Sequence, residues 1–129
     1  MKPYPFWRSI AYVDHATKRR WHSQAMAKLR VLAKELGLER GEYDLRSNFD
    51  SIAVSGEVTL HGDHVYVQVS QPFQSGKGVL YRRCGGRRDY TGDRNHFATL
   101  DLLNDPDKLA GHIERDVGPV YKFNANEVA

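Results

Sequence analysis

Five arginines fall between positions 81 and 96, in the run Tyr81-Arg82-Arg83-Cys84-Gly85-Gly86-Arg87-Arg88-Asp89-Tyr90-Thr91-Gly92-Asp93-Arg94-Asn95-His96. A guanidinium is a planar fork of donors that matches phosphate and carboxylate oxygens two at a time. Tyrosine rings and guanidinium planes stack on nucleobases, and glycines let the backbone approach a ligand. The run therefore supplies a candidate surface for nucleic acid or an acidic partner, with Arg82, Arg83, Arg87, Arg88, Tyr90, Arg94 and His96 as its contact residues. Asp89 and Asp93 support a second reading, in which internal salt bridges hold an irregular loop in shape.

Three other features are chemically suggestive and incomplete. Gln74-Ser75-Gly76-Lys77-Gly78 resembles a phosphate loop, but Gln71 stands where its first glycine belongs and Gly78 where a Ser or Thr would ligate Mg²⁺. It reads as a hairpin loop. His61 and His64 provide two imidazoles without the third ligand a zinc site needs. Cys84 has arginines nearby that favour a thiolate, yet a lone cysteine at a strand end is usually a small apolar residue. No Gly-x-Ser-x-Gly elbow and no His-Glu-x-x-His helix occurs. The sequence implies no catalytic residue, no metal and no cofactor.

The elements that carry these groups can be read from periodicity. Trp21, Ala25, Leu29, Leu32, Ala33 and Leu36 form one stripe of helical period. Asp14 is placed to cap its start, and Gly37 with Leu38 to close its end. The other side of this helix shows Arg19, Arg20, Ser23, Arg30 and Lys34, of which Arg30 and Lys34 are candidates to extend the binding surface. Strands follow at residues 43–47, 52–60, 65–69 and 78–84. A turn at Gly62-Asp63 would oppose Leu60 to Val65 and His61 to His64, with every aliphatic on one face. Residues 97–103 read as a helical turn, and Asp105-Pro106 opens a last helix that Gly118-Pro119 stops. The expectation is an α+β fold: an N-terminal helix, a four-stranded antiparallel β-meander and a C-terminal helix packed on one face of the sheet. All 129 residues form one domain, with an aromatic and proline-bearing arm at 1–13 and a frayed tail at 124–129.

The formal net charge is +3, and its distribution is uneven. Residues 1–40 carry nine Lys/Arg against three Asp/Glu, and residues 73–100 carry six against two. Residues 41–72 and 101–129 are acidic, with one Lys/Arg against five Asp/Glu and three against six. No apolar run approaches the ~18 residues that span a bilayer. With one cysteine and no signal-like apolar N-terminal run, the expectation is a cytoplasmic protein without membrane contact.

Four stretches carry a resemblance. Tyr43-Asp44-Leu45-Arg46-Ser47-Asn48 is the first, and the second runs Ile52-Ala53-Val54-Ser55-Gly56-Glu57-Val58-Thr59-Leu60-His61. Val65-Tyr66-Val67-Gln68-Val69-Ser70-Gln71 is the third, and the fourth runs from Tyr81-Arg82-Arg83-Cys84 to Gly92. Together they resemble small uncharacterised proteins carried on bacterial integrative conjugative elements and plasmids, over about half the chain. The resemblance implies an accessory role in a mobile genetic element, in handling nucleic acid or in blocking a host defence complex. The combined expectation is a non-enzymatic module that binds nucleic acid through the Arg-rich loop. The alternative is a protein-binding inhibitor or adaptor acting on an acidic partner surface.

Overall fold

The computed structural model describes residues 14–49, 56–71 and 77–120. The expected arm at 1–13, the start of the second strand at 52–55, most of the 73–77 loop and the tail at 124–129 lie outside the described residues.

Helix α1 spans His15–Glu35. The Asp14 carboxylate accepts from the Thr17 amide at 2.7 Å and so satisfies one of the orphan donors of the first turn. At the other end Gly37 takes φ +81 and donates to the Lys34 carbonyl at 3.0 Å, while Leu38 donates to the Ala33 carbonyl at 2.9 Å. These are the two bonds of a Schellman motif. The full apolar stripe, Trp21 through Leu36, is buried.

Strands β1 (Tyr43–Asn48), β2 (Glu57–Gly62), β3 (Val65–Val69), β4 (Val79–Arg83) and β5 (His96–Ala98) form one antiparallel sheet in sequence order. A 3-10 helix (Leu100–Asn104) and α2 (Pro106–Val117) complete the elements of the described residues, with Pro106 at the first helical position. The fold is α+β. The sheet has five strands where sequence periodicity shows four. The fifth lies at the start of the run expected to turn helically; three residues are too few to display an alternation.

The β2–β3 pairing differs from the expected register by two residues. Leu60 opposes Val67 and His61 opposes Tyr66, so Asp63 and His64 join the strands. Neither takes a positive φ, so the link is not the type I′ turn that favours Asp-Gly. Leu60 is not paired with Val65, and His61 and His64 are not side by side. The facing survives because a two-residue shift preserves parity.

Val58, Leu60, Val65, Val67, Val69, Val79 and Tyr81 point to one face and join the α1 stripe with Leu109, Ile113 and Val117 of α2 in one buried cluster. Both helices therefore cover the same face. Arg46, His61, Tyr66, Arg82 and Phe97 alternate onto the other face, which neither α1 nor α2 covers. His22 leaves α1 beside the stripe and shares a 2.7 Å hydrogen bond with the Ser47 hydroxyl, which fixes the helix against β1. Gly56 closes that corner. At φ +74, a Cβ there would stand 2.7 Å from the Asn48 carbonyl and 2.9 Å from that of Phe49.

Candidate functional site

The arginine-rich loop, residues 84–95, is a built structure whose hub is an acid. One oxygen of Asp89 accepts from the amides of Thr91 (3.1 Å) and Gly92 (2.9 Å) and from the Thr91 hydroxyl (3.1 Å), and the other accepts from the Gly85 amide at 2.8 Å. These backbone donors hold its carboxyl far below the usual carboxylate range. Asp89 thus supports the reading in which an aspartate shapes the loop, although it does so through amides and not through arginines.

Of the five arginines between positions 82 and 94, three are tied to the fold: Arg82 and Arg83 at the end of β4 and Arg87 in the loop. Arg82 is nearly buried; its guanidinium stands 4.3 Å from the centroid of the Tyr66 ring and donates to the Tyr90 carbonyl at 2.6 Å and to Asn95 Oδ1 at 3.3 Å. Gly92, at φ +56, is needed beneath it, since a Cβ there would lie 2.8 Å from Arg82 Nε. Arg83 donates to the carbonyls of Val117 (2.7 Å) and Pro119 (3.0 Å), a cation at the negative end of α2. Arg87 pairs with Asp63 at 3.3 Å and Asp44 at 3.4 Å, and donates to the Gly41 carbonyl at 2.5 Å. It ties the loop to the β1 end and the β2–β3 turn.

Arg88 and Arg94 are exposed and make no hydrogen bond or ion pair among the described residues. Tyr90 is 59% exposed, its ring edge-on to His61 at 5.4 Å between centroids, with the Arg46 guanidinium 5.9 Å away. Arg94 and His96 meet Arg83 in an open cleft of about 300 Å³ beside the end of α2, lined also by Asp93, Asp116 and Val117. His96 stacks on Tyr81 at 5.4 Å. Arg115 and the Tyr81 hydroxyl both donate to the Asp116 carboxylate and hold its pKa down at about 2. The cleft therefore keeps anionic groups beside its cations.

Arg30 and Lys34 belong to a different surface. Both are exposed on the side of α1 turned away from the sheet, whereas Tyr90 lies over the opposite face of the sheet. They share their side with Arg19 and Arg20, which sequence reasoning placed on a solvated helix face. α1 carries six Lys/Arg and one acidic residue, Glu35. Arg19, Arg30 and Lys34 make no hydrogen bond or ion pair among the described residues.

Two groups with chemical potential are closed in. Cys84 is buried, its thiol directed at the Gly62 carbonyl at 3.4 Å, and burial pushes its pKa up against the pull of the Gly86 backbone and of Arg82. His61 is fully buried, with Nε2 2.9 Å from the Gly86 carbonyl. Among the described residues no group of three His, Cys, Asp or Glu is placed to hold a metal ion, and no helix is long and apolar enough to cross a membrane. Comparison with protein-family models, with curated proteins and with solved structures finds no match.

Proposed function

We propose that this protein is a non-enzymatic, cytoplasmic accessory module of a mobile genetic element that binds nucleic acid, and that the basic side of α1 is its principal contact surface. The observation that carries this reading is where positive charge is left without an internal counter-charge. Of the five arginines between positions 82 and 94, Arg82 and Arg83 on β4 and Arg87 in the loop are spent on carbonyls and carboxylates of the fold, whereas Arg19, Arg30 and Lys34 stand in solvent on one side of one helix. Arg30 and Lys34 are moreover a like-charged pair four residues apart, which costs an isolated helix about 0.2–0.5 kcal/mol. A partner that neutralises the pair removes that cost. The mobile-element assignment rests on the resemblance of the strand and loop sequences. Binding is favoured over catalysis because the thiol of Cys84 and the imidazole of His61 are sealed from substrate.

Fluorescence anisotropy with labelled oligonucleotides at several salt concentrations tests the reading. Each neutralised phosphate releases a counterion, so three or four contacts give a slope of log K against log salt of roughly −2 to −3.6. The variant carrying Arg19→Ala, Arg30→Ala and Lys34→Ala should lose most of that slope, while Arg88→Ala with Arg94→Ala should leave most of it. The reverse result would return the site to the loop. Absence of binding at low salt would end the nucleic-acid reading.

A second reading has its own support. Tyr90 and Phe97 are large rings more than half exposed, and Arg88 and Arg94 are arginines with unspent donors. Aromatics and arginine are the residues that dominate protein interfaces, so this end of the molecule fits an inhibitor or adaptor. A partner captured from host lysate, retained after nuclease treatment and lost with Tyr90→Ala, would favour it.

A further inference from the structure

The geometry points to double-stranded nucleic acid, held chiefly by its phosphates, as the polymer that the α1 surface takes; this inference rests on the nucleic-acid reading above. Three features of that surface carry it. The first is its shape. Arg19, Ser23, Ala27, Arg30 and Lys34 follow one another along the helix side turned from the core, and all are exposed. From Arg19 to Lys34 the row runs about 22 Å at 1.5 Å per residue. A duplex presents roughly one phosphate per 3.4 Å on each strand over such a length. The small Ser23 and Ala27 between the basic residues leave nothing to hold a stiff rod away from the charged ends.

The second feature is what the row lacks. Between Arg19 and Glu35 no exposed residue is aromatic, and none is Asn or Gln. Affinity for single strands without sequence preference comes largely from rings on which successive bases stack, and adenine edges are read by the paired donor and acceptor of Asn or Gln. Neither is present here. A polymer that keeps its bases stacked on each other loses nothing on such a surface, and a single strand gains only its charges.

The third feature is the separation of charge from rings. Tyr90, one of the large exposed aromatics, packs on His61 over the face of the sheet opposite α1 and α2, and Phe97 alternates onto that same face. The sheet and α1 itself lie between these rings and the basic row. A strand lying along α1 cannot also stack on Tyr90 without passing around the molecule.

The test uses the full chain with a duplex DNA of about 25 base pairs, a duplex RNA of the same sequence and each single strand, by anisotropy over a salt series. The expected result is tighter binding of at least one duplex than of either single strand at equal salt. Its slope should flatten by about 0.9 for each basic residue removed from the row if the duplex is DNA, and scrambling the sequence should change affinity less than twofold. The comparison of the two duplexes tells DNA from RNA. Tyr90→Ala should bind as the parent does. Single strands bound as tightly as duplex, or binding weakened by Tyr90→Ala, would overturn the duplex assignment while leaving the nucleic-acid reading intact. Absence of binding to all four probes would remove both. Circular dichroism on the row variants separates lost contact from lost folding, and Arg30→Lys, which keeps the charge, should retain the slope.

Discussion

Arg82 donates a 2.6 Å hydrogen bond to the carbonyl oxygen of Tyr90, and so fastens the loop to the outer face of the sheet from a strand position. The same guanidinium reaches Asn95, near the far end of the loop, and lies over Tyr66. One cation thereby sets both the middle and the end of an irregular segment, while the Asp89 carboxylate gathers its amides.

Arg82→Ala should therefore cost more than a surface arginine. Hydrogen bonds to a charged group contribute about 1.5–3 kcal/mol, and here the carbonyl of Tyr90 would be left without its donor. A urea titration should show that loss, and hydrogen exchange should show the amides of residues 90–95 less protected. A change within about 0.5 kcal/mol would mean that the loop holds its shape without Arg82. Arg82→Lys keeps charge but not the fork, and should recover only part of the stability.

The adjacent pair Arg87 and Arg88 gives a sharper comparison, since sequence treats them alike. Arg87→Ala breaks contacts to Asp63, Asp44 and the Gly41 carbonyl. It should lower stability by about 1 kcal/mol, because these groups are only partly shielded from solvent. Arg88→Ala should stay within about ±0.5 kcal/mol. Equal effects in thermal melts would contradict the assignment of Arg87 as a structural tie.

That pair also shows where sequence reasoning stops. The helix caps were legible because Asp14, Gly37 and Leu38 act on backbone within a few residues of themselves. The α1 stripe and the facing of β2 and β3 were legible from period alone. The register was not, because Leu60 against Val65 and Leu60 against Val67 bury the same aliphatics. The chain settles it through contacts from afar: Cys84 donates its amide to the His64 carbonyl and its thiol to that of Gly62. Whether an arginine faces inward is decided the same way. Arg83 depends on the end of α2, 34 residues away in sequence, and Arg87 on β1, 43 residues away. Arg30 and Lys34 were legible as exposed but not as part of a separate surface, since that follows from which face of the sheet α1 covers.

Gly56 tests the corner between α1 and β1. Its φ of +74 disfavours any other residue, and an added Cβ meets backbone carbonyls, which cannot swing aside as a side chain would. Gly56→Ala should destabilise by more than about 1 kcal/mol. A neutral or stabilising result in denaturant melts would contradict the placement of Gly56 against the carbonyls of Asn48 and Phe49.

His61 makes the pH dependence of the fold predictable in sign. A carbonyl only accepts, so the contact to Gly86 places the proton of the neutral ring on Nε2. Nδ1 is then buried without a partner, between rings of Tyr66 and Tyr90 that approach edge-on. A second proton would put an unpaired N–H and a charge in that site. Burial lowers the His61 pKa from its ordinary 6.5, and the nearby charges of Arg46 and Arg82 push the same way, opposed by the Gly86 carbonyl and Asp44. Above about pH 6.5 the ring is neutral in folded and unfolded chains, and its contribution to stability is fully present. As pH falls below that value the unfolded chain takes up a proton that the folded chain resists, so stability is lost toward the lower folded-state pKa. The urea midpoint should therefore fall between pH 7.5 and pH 5. His61→Phe keeps a ring between the two tyrosines and removes the titrating group. It should flatten that part of the profile, even if the lost bond to Gly86 lowers the midpoint at every pH. The loop should report the same event locally, with the amides of residues 85–92 exchanging faster in the parent at pH 5, after correction for intrinsic rates, and the variant showing no such change. A parent whose midpoint is flat across this range, or a variant with the parent's slope, would show that the proton is taken up elsewhere.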